Sequence, residues 1–597
     1  MPRYRRSPPR PEAAARVRQP LPIATALRES FRQGYDRKAL RADLLSGAVV
    51  GVVALPLSMA LAIATGVSPE HGLYTAVVAG GLVPLLGGSR FQVTGPTAAF
   101  IVILAPIVGR FGLEGLLIAG LLAGAMLVGM GLARLGRFIQ FIPHPVTTGF
   151  TAGIATVIAT LQLKDAFGLT VGAMPDGFPE KVEALWHARA TASLPDAAVA
   201  AATLALLLLI PRVQKRIPAP LIALTLAAVL AAAARRYWPE VAVATIGSRF
   251  HFTVDGVAVS GIPPVPPHFA WPWGAHLPTL AHVRELLPAA FAIAMLGAIE
   301  SLLSAVVADG MGGTRHDSNA ELFALGIGNL VAPFFGGIAA TGALARTATN
   351  VRAGARSPLA AVFHAAVVLA SILLFAPLIA WVPMASLAAL LLVVAWNMSE
   401  LRHFAHTVRV APRSDVILLV TCFVLTVVFD MVIAVSFGVV LAALLFMRRM
   451  AETTTSRIFS ESAHPGAPRA VPEHVALYQI AGPLFFGAAQ SAMSAISTVS
   501  EGVRVVVLDL GAVPVIDASG LVALESALER LQLDRKFAIV AGPLPEPRSV
   551  FERANLERHH DNIVIAADLD EALRTAEDLV LLNPGWATGA PSSRREA

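Results

Sequence analysis

Gln92-Val93-Thr94-Gly95-Pro96-Thr97-Ala98-Ala99 breaks an otherwise apolar region with small and polar residues. Glycine and proline both disfavour a helix interior, so this stretch is expected to be extended, with a half-helix starting near Thr97 and ending near position 108. At membrane depth such a break is tolerated only where protein or a water-lined cavity surrounds it. A second stretch of the same kind, Ala340-Thr341-Gly342-Ala343-Leu344-Ala345-Arg346-Thr347, lies in the other half of the chain. Paired interruptions in two membrane halves point to the binding site of a transporter.

The composition outside these stretches supports a membrane reading. The chain has 597 residues, of which 55% are hydrophobic and 14% charged, against roughly 25% charged in soluble domains. Apolar runs at 116–132, 197–210, 221–234, 359–381 and 416–429 supply most or all of the length needed to cross a bilayer. The net charge of +6 is no nucleic-acid signal: Arg3, Arg5, Arg6, Arg10, Arg16 and Arg18 lie among prolines in a tail that reads as disordered and cytoplasmic. No apolar run within that tail suggests a cleavable signal. The single Cys422 excludes an intrachain disulfide and a multi-cysteine metal site.

In chain order the expectation is a cytoplasmic tail at 1–42, with an amphipathic piece at 24–42, and a transmembrane region at 43–449. Its halves, about 43–234 and 286–446, are joined by a hydrophilic loop at 235–285 with strand-like residues near 250–259. The first span, 43–62, is expected to be interrupted by Pro56 and Ser58. The pattern gives about fourteen segments, seven per half, and an even number places both termini in the cytoplasm, with most arginine clusters in inside loops. After a linker at 450–473, strand-like and helix-like runs alternate over 474–580 as a soluble α/β domain, followed by a tail at 581–597 that reads as disordered.

Few charged residues interrupt the spans. Glu300 sits in an apolar run without a basic neighbour; an ionisable group at that depth must face a cavity or a partner, so it is read as protonatable, with a structural carboxylate as the alternative. Arg346 falls in the first turn of the second half-helix, where it either strengthens an anion site or neutralises Glu300 or a helix end. The segment from Asp309 to Asn319 reads as a salt-bridged hinge rather than a metal or catalytic cluster, with Ser318 or Asn319 capping the next helix. Asp430 reads as a turn residue without a role. In the soluble domain Asp517 is placed to cap a helix, and phosphorylation of Ser519 would put about two negative charges at its N-terminus.

Glu70-His71-Gly72-Leu73-Tyr74, the run from Gly87 to Ala98 and the run from Gly310 to Asn329 resemble the SulP anion transporters, and Asp517-Ala518-Ser519-Gly520 resembles their STAS domain. Within that family the runs 287–291, 295–303, 394–400 and 481–486 are most similar to bacterial C4-dicarboxylate transporters. The resemblance implies a polytopic α-helical membrane protein with a 7+7 inverted repeat in core and gate domains, plus a cytoplasmic STAS domain. It implies substrate held between the third and tenth helices, Glu300 as the proton-coupling carboxylate, Arg346 as a basic position on the tenth helix, and a homodimer in a bacterial inner membrane. Many members carry Pro-Gln-x-Met-Ala on the first helix, where this chain has Pro56-Leu57-Ser58-Met59-Ala60.

The resulting expectation is a proton-coupled importer of succinate, fumarate or aspartate, without a cofactor. Backbone amides near Thr97, Ala98, Ala343 and Leu344 would bind the anion, and Ser58, Thr94, Ser301 and Thr341 would line the cavity beside Arg346. The same fold carrying bicarbonate or sulfate is an alternative. A membrane-tethered scaffold, whose soluble domain binds a cytosolic partner, is another. No triad, metal set or nucleotide loop favours an enzyme.

Overall fold

The computed structural model describes residues 23–137, 143–172, 174–175, 177–214, 217–238, 243–254, 257–274, 277–429, 431–460, 469–485, 488–494, 500, 502–556 and 562–583. The arginine-rich start, Asp430 and the final residues, each given a reading above, lie outside these. The chain forms two units, to Val439 and from Val440.

The helices of the first unit are α1 (Thr25–Arg32), α2 (Arg37–Thr65), α3 (Pro69–Leu86), α4 (Ala98–Leu132), α5 (His144–Ala166), α6 (Phe178–His187), α7 (Leu194–Val213), α8 (Ala219–Tyr237), α9 (Ile246–Arg249), α10 (Leu280–Gly312), α11 (Ser318–Val331), α12 (Leu344–Arg352), α13 (Leu359–Ile379), α14 (Met384–Ser399), α15 (Leu401–Val410) and α16 (Arg413–Val428), with α17 (Met431–Thr453) leading out of it. Two short strands, β1 (Thr94–Gly95) and β4 (Thr341–Gly342), pair antiparallel, and β2 (His251–Val254) and β3 (Val257–Ser260) form a hairpin. Gly112, at φ 66° and ψ −170°, breaks α4 into a half-helix and a full span.

The packing repeats between the halves. Helix α2 packs on α13, and its counterpart α10 packs on α4. Helix α5 packs on α16, and its counterpart α14 on α7. The equivalent elements α5 and α14 pack on each other, and the equivalent strands β1 and β4 pair in opposite directions. Antiparallel equivalents are what an inverted repeat produces. One bundle gathers α2, α3, α4 and α10 to α13, and the other α5, α7, α8, α14 and α16. Glycines set the close crossings, because lipid offers no hydrophobic drive between helices. A Cβ on Gly47 would reach within 2.6 Å of the Ala360 carbonyl, and one on Gly124 within 2.7 Å of the Leu330 amide.

Three expectations for this unit change. Pro56 does not interrupt α2, which runs unbroken to Thr65 with Ser58 buried inside it. The cap of α11 is Asp317, whose carboxylate accepts the Asn319 and Ala320 amides, and not Ser318 or Asn319. The loop at 235–285 is no free connector: Ile246 and Gly247 donate to Val382 and Ala380, and Ala270 donates to Phe334 at 2.7 Å.

The second unit is a sheet in the order β5 (Thr455–Ser460), β6 (Val475–Ala481), β7 (Val505–Ala512), β8 (Phe537–Ala541), β9 (Ile563–Ala566), antiparallel only at β5–β6. Alternation sends Tyr478, Leu508 and Val540 to one face, against α18 (Ala488–Ser494), α19 (Ala518–Leu533) and α20 (Pro545–Arg553), and Leu477, Val507 and Ile539 to the other, against the helix Leu569–Leu581. Strand β5 lies inside the expected linker at 450–473, because a six-residue strand against β6 covers that sheet edge. Asp517 caps α19 by accepting the Gly520 amide at 2.7 Å. Replacing it by alanine is expected to lower stability by about 1 kcal/mol, seen as an earlier unfolding of this unit in a melting curve.

Candidate functional site

The extended segment before α4 satisfies its backbone by side chains from the other half. Glu321 accepts the Gly88 and Ser89 amides, both at 2.9 Å. Asn350 donates to the Phe91 carbonyl at 2.8 Å, and Thr347 accepts the Val93 amide at 3.0 Å. Thr94 then faces Gly342, and Gly95 faces Thr341. Both glycines are required by close approach rather than by φ. A Cβ on Gly342 would strike Gln92, and one on Gly95 would lie 2.6 Å from an Arg346 nitrogen.

The pairing brings the starts of α4 and α12 together. Neither start has a side-chain cap. Thr97 occupies the cap position of α4, but its hydroxyl donates to Glu300 at 2.8 Å. Ala343 occupies the cap position of α12 and has no group to offer. The leading N–H groups of both helices thus keep the partial positive charge that attracts anions. Arg346 is buried at the same place. One of its terminal nitrogens donates to the Pro96 carbonyl, and the other, Nη1, has no partner. It makes no salt bridge with Glu300 among the described residues, so charge is held near the two helix starts without being cancelled in a direct pair.

The expected site residues divide into two sets. Ser58 Oγ and Thr94 Oγ1 are buried without partners, and Leu344 at the start of α12 is 43% exposed. Ala98 is the first residue of α4. The other set is already engaged. Ser301 accepts the Gln92 amide at 2.6 Å, Thr341 donates to the Gly297 carbonyl at 2.8 Å, and the Ala343 amide donates to Val93 at 2.8 Å. Those three bonds tie the crossing together, and Ser301, which accepts here, keeps its own O–H to donate. Gly342→Ala is expected to part this crossing and reduce uptake at least tenfold while the protein still reaches the membrane, as measured by uptake normalised to surface-extracted protein.

Two residues carry no role in the sequence reading. Gln92 keeps its Oε1 unpartnered, and His364 on α13 is fully buried with Nε2 unpartnered. A Cβ placed on Gly80 would lie 3.0 Å from the Thr94 carbonyl and 3.3 Å from His364 Cε1, so the imidazole sits beside β1. The signal was available: an imidazole in an apolar run carries the same warning as Glu300. Ser58, Gln92, Thr94, Arg346 and His364 together leave five unpartnered polar atoms buried in one bundle, and buried polar groups of that kind ordinarily meet water or a ligand.

The hinge at the ends of α10 and α11 is internally closed. Asp309 accepts His316 Nδ1 at 2.7 Å and the Thr314 hydroxyl at 2.7 Å, and Ser318 sits 2.9 Å from His316 Nε2. Among the described residues no group of His, Cys, Asp and Glu is arranged to hold a metal ion.

Residues 40–421 match the sulfate permease family, and residues 468–572 match the STAS domain. A Bacillus subtilis (strain 168) protein named as a candidate sulfate transporter, YvdB, is 41% identical over 89% of this chain and 98% of its own length. The bicarbonate transporter BicA of Picosynechococcus is 29% identical over 93% of this chain and 98% of its own. Among solved structures, SLC26A9 superposes with a TM-score of 0.79 over 94% of both chains at 18% identity, a likeness of fold. The transmembrane domain of a cyanobacterial BicA superposes at 0.56 over 68% of this chain and 98% of that one, with 26% identity.

Proposed function

The chain belongs to the sulfate permease family as a multi-pass anion transporter and not an enzyme, and from that premise we propose that it imports C4-dicarboxylates together with protons by alternating access. The observation that carries this reading is the meeting of two uncapped half-helix starts beside the unpartnered Nη1 of Arg346. Two such starts suit a substrate with a carboxylate at either end: one carboxylate takes the amides near Ala98, the other those near Leu344 and the free Arg346 nitrogen, with Ser58 and Thr94 beside them.

Glu300 supplies the coupling. Ionised, it sets a negative charge on Thr97 at the mouth of α4 and opposes an incoming anion. Protonated, it removes that repulsion and keeps its hydrogen bond with Thr97. An anion thus enters with a proton, and loss of the proton to the cytoplasm restores the repulsion that expels it. The bundle holding α4 and α12 carries the site, and the bundle of α5 and α14 forms the wall it moves against. The expected setting is a homodimer in a bacterial inner membrane with both termini cytoplasmic.

The second reading keeps the site and changes the cargo to bicarbonate or sulfate, favoured by the names of YvdB and BicA. Counterflow in proteoliposomes separates them. Preloaded succinate is expected to drive labelled succinate inward, with sulfate and bicarbonate at equal concentration failing to do so; exchange with sulfate or bicarbonate alone would establish the second reading.

Ser519 is exposed in the first turn of α19, where phosphate is favoured by the helix start. It is proposed as a regulatory phosphorylation site through which a cytosolic partner would act. A phosphopeptide map of the native protein that finds Ser519 unmodified under all growth conditions would remove it.

A further inference from the structure

Helix α15 differs from every span around it. Glu400, at φ 41° and ψ 40°, is a non-glycine residue in the left-handed region, and it turns the chain out of α14. The ten residues that follow reach only about 15 Å, half a bilayer core. Its neighbours α14 and α16 are apolar, so α15 joins two spans that end at the same membrane face. None of its residues is buried.

Helical spacing sorts its side chains. Leu401, Phe404, Ala405 and Val408 share one face, and Arg409, Arg402 and His406 line one edge of it. Leu401 is 53% exposed and Val408 39%. Phe404 leans on Phe423 of α16, and His403 on His144 of α5; Phe404, Ala405 and Thr407 are half-buried, and the other seven residues of the helix are exposed. Between positions 401 and 413 the chain has three arginines and two histidines and no carboxylate. An apolar face edged by cations is the signature of a helix lying in the headgroup layer, and the cytoplasmic leaflet carries the anionic lipid.

We propose that α15 lies in the headgroup layer of the inner leaflet, its Leu401–Val408 face in the acyl boundary and Arg402, Arg409 and Arg413 on anionic headgroups. It thereby ties the start of α5, on the wall bundle, to the membrane surface. The complement is a lipid surface rather than a protein, because the cations line an edge of the apolar face on a helix between two spans.

The test places a fluorophore at V408C or V410C in the full chain, in vesicles of phosphatidylcholine with or without phosphatidylglycerol. Wild type sets the labelling background, since its one cysteine, Cys422, is buried. With anionic lipid present, the Val408 probe is expected to be quenched by brominated lipid and shielded from aqueous iodide, while the Val410 probe stays open to iodide. R402Q/R409Q should lower the docked-to-free ratio about fivefold per arginine removed. Equal iodide access at both positions would overturn the proposal. So would shielding from both quenchers, which would mean packing on protein, or indifference of the probe to phosphatidylglycerol and to R402Q/R409Q.

Discussion

Glu300→Gln is expected to leave succinate exchange intact and to abolish its dependence on an inward proton gradient. Glutamine mimics the protonated carboxyl: it is neutral, and its amide still reaches the Thr97 hydroxyl that Glu300 accepts at 2.8 Å. In the wild type, an ionised Glu300 within about 4 Å of a bound carboxylate costs roughly 4 kcal/mol at an effective dielectric of 20, close to a thousandfold in affinity. Wild-type uptake should therefore fall as pH rises through the range where Glu300 ionises, and the glutamine variant should stay flat. Uptake measured across a pH series in proteoliposomes, with and without a gradient, checks both. A gradient response that survives in Glu300→Gln would move the coupling elsewhere.

Arg346→Gln is expected to have the largest effect on binding. The variant loses the only cation placed at the meeting of the two half-helices among the described residues, together with a charge-assisted bond whose ordinary worth is about 1.5–3 kcal/mol. A loss of affinity of about a hundredfold follows. It also strands the Pro96 carbonyl, so a loosened crossing contributes to the loss. Arg346→Lys separates the two: it retains the charge and loses the fork geometry, so it should recover part of the affinity. Equilibrium binding of labelled succinate to purified protein measures all three. Equal affinity in wild type and Arg346→Gln would remove Arg346 from the site.

Both breaks, the carboxylate and the arginine were legible in the sequence because each violates the rules of an apolar span. Gly95-Pro96 and Gly342 cannot continue a lipid-facing helix, and Glu300 and Arg346 cannot face lipid. The register of the crossing was not legible, since Thr94 opposite Gly342 depends on contacts more than 240 positions apart. That register decides which polar groups are spent: Thr341 read as cavity lining, yet its hydroxyl donates to the Gly297 carbonyl, while Ser301 accepts from Gln92 and keeps its own donor. Pro56 read as an interruption because its missing N–H is visible locally, whereas the packing of α2 against α13 that carries the helix through it is not. Strand β5 was hidden in a polar stretch, since an edge strand needs only one apolar face.

The proposed site puts the anion between the starts of α4 and α12. Leu344 lies at that point and is exposed, while Leu374 is 70% exposed toward the end of α13, ten positions beyond His364. With Cys422 buried, L344C and L374C can each be labelled by a thiol reagent in vesicles. Succinate is expected to slow labelling of L344C several-fold at acidic pH and to leave L374C unchanged. Labelling of L344C at the same rate with and without succinate, sulfate or bicarbonate would contradict the site.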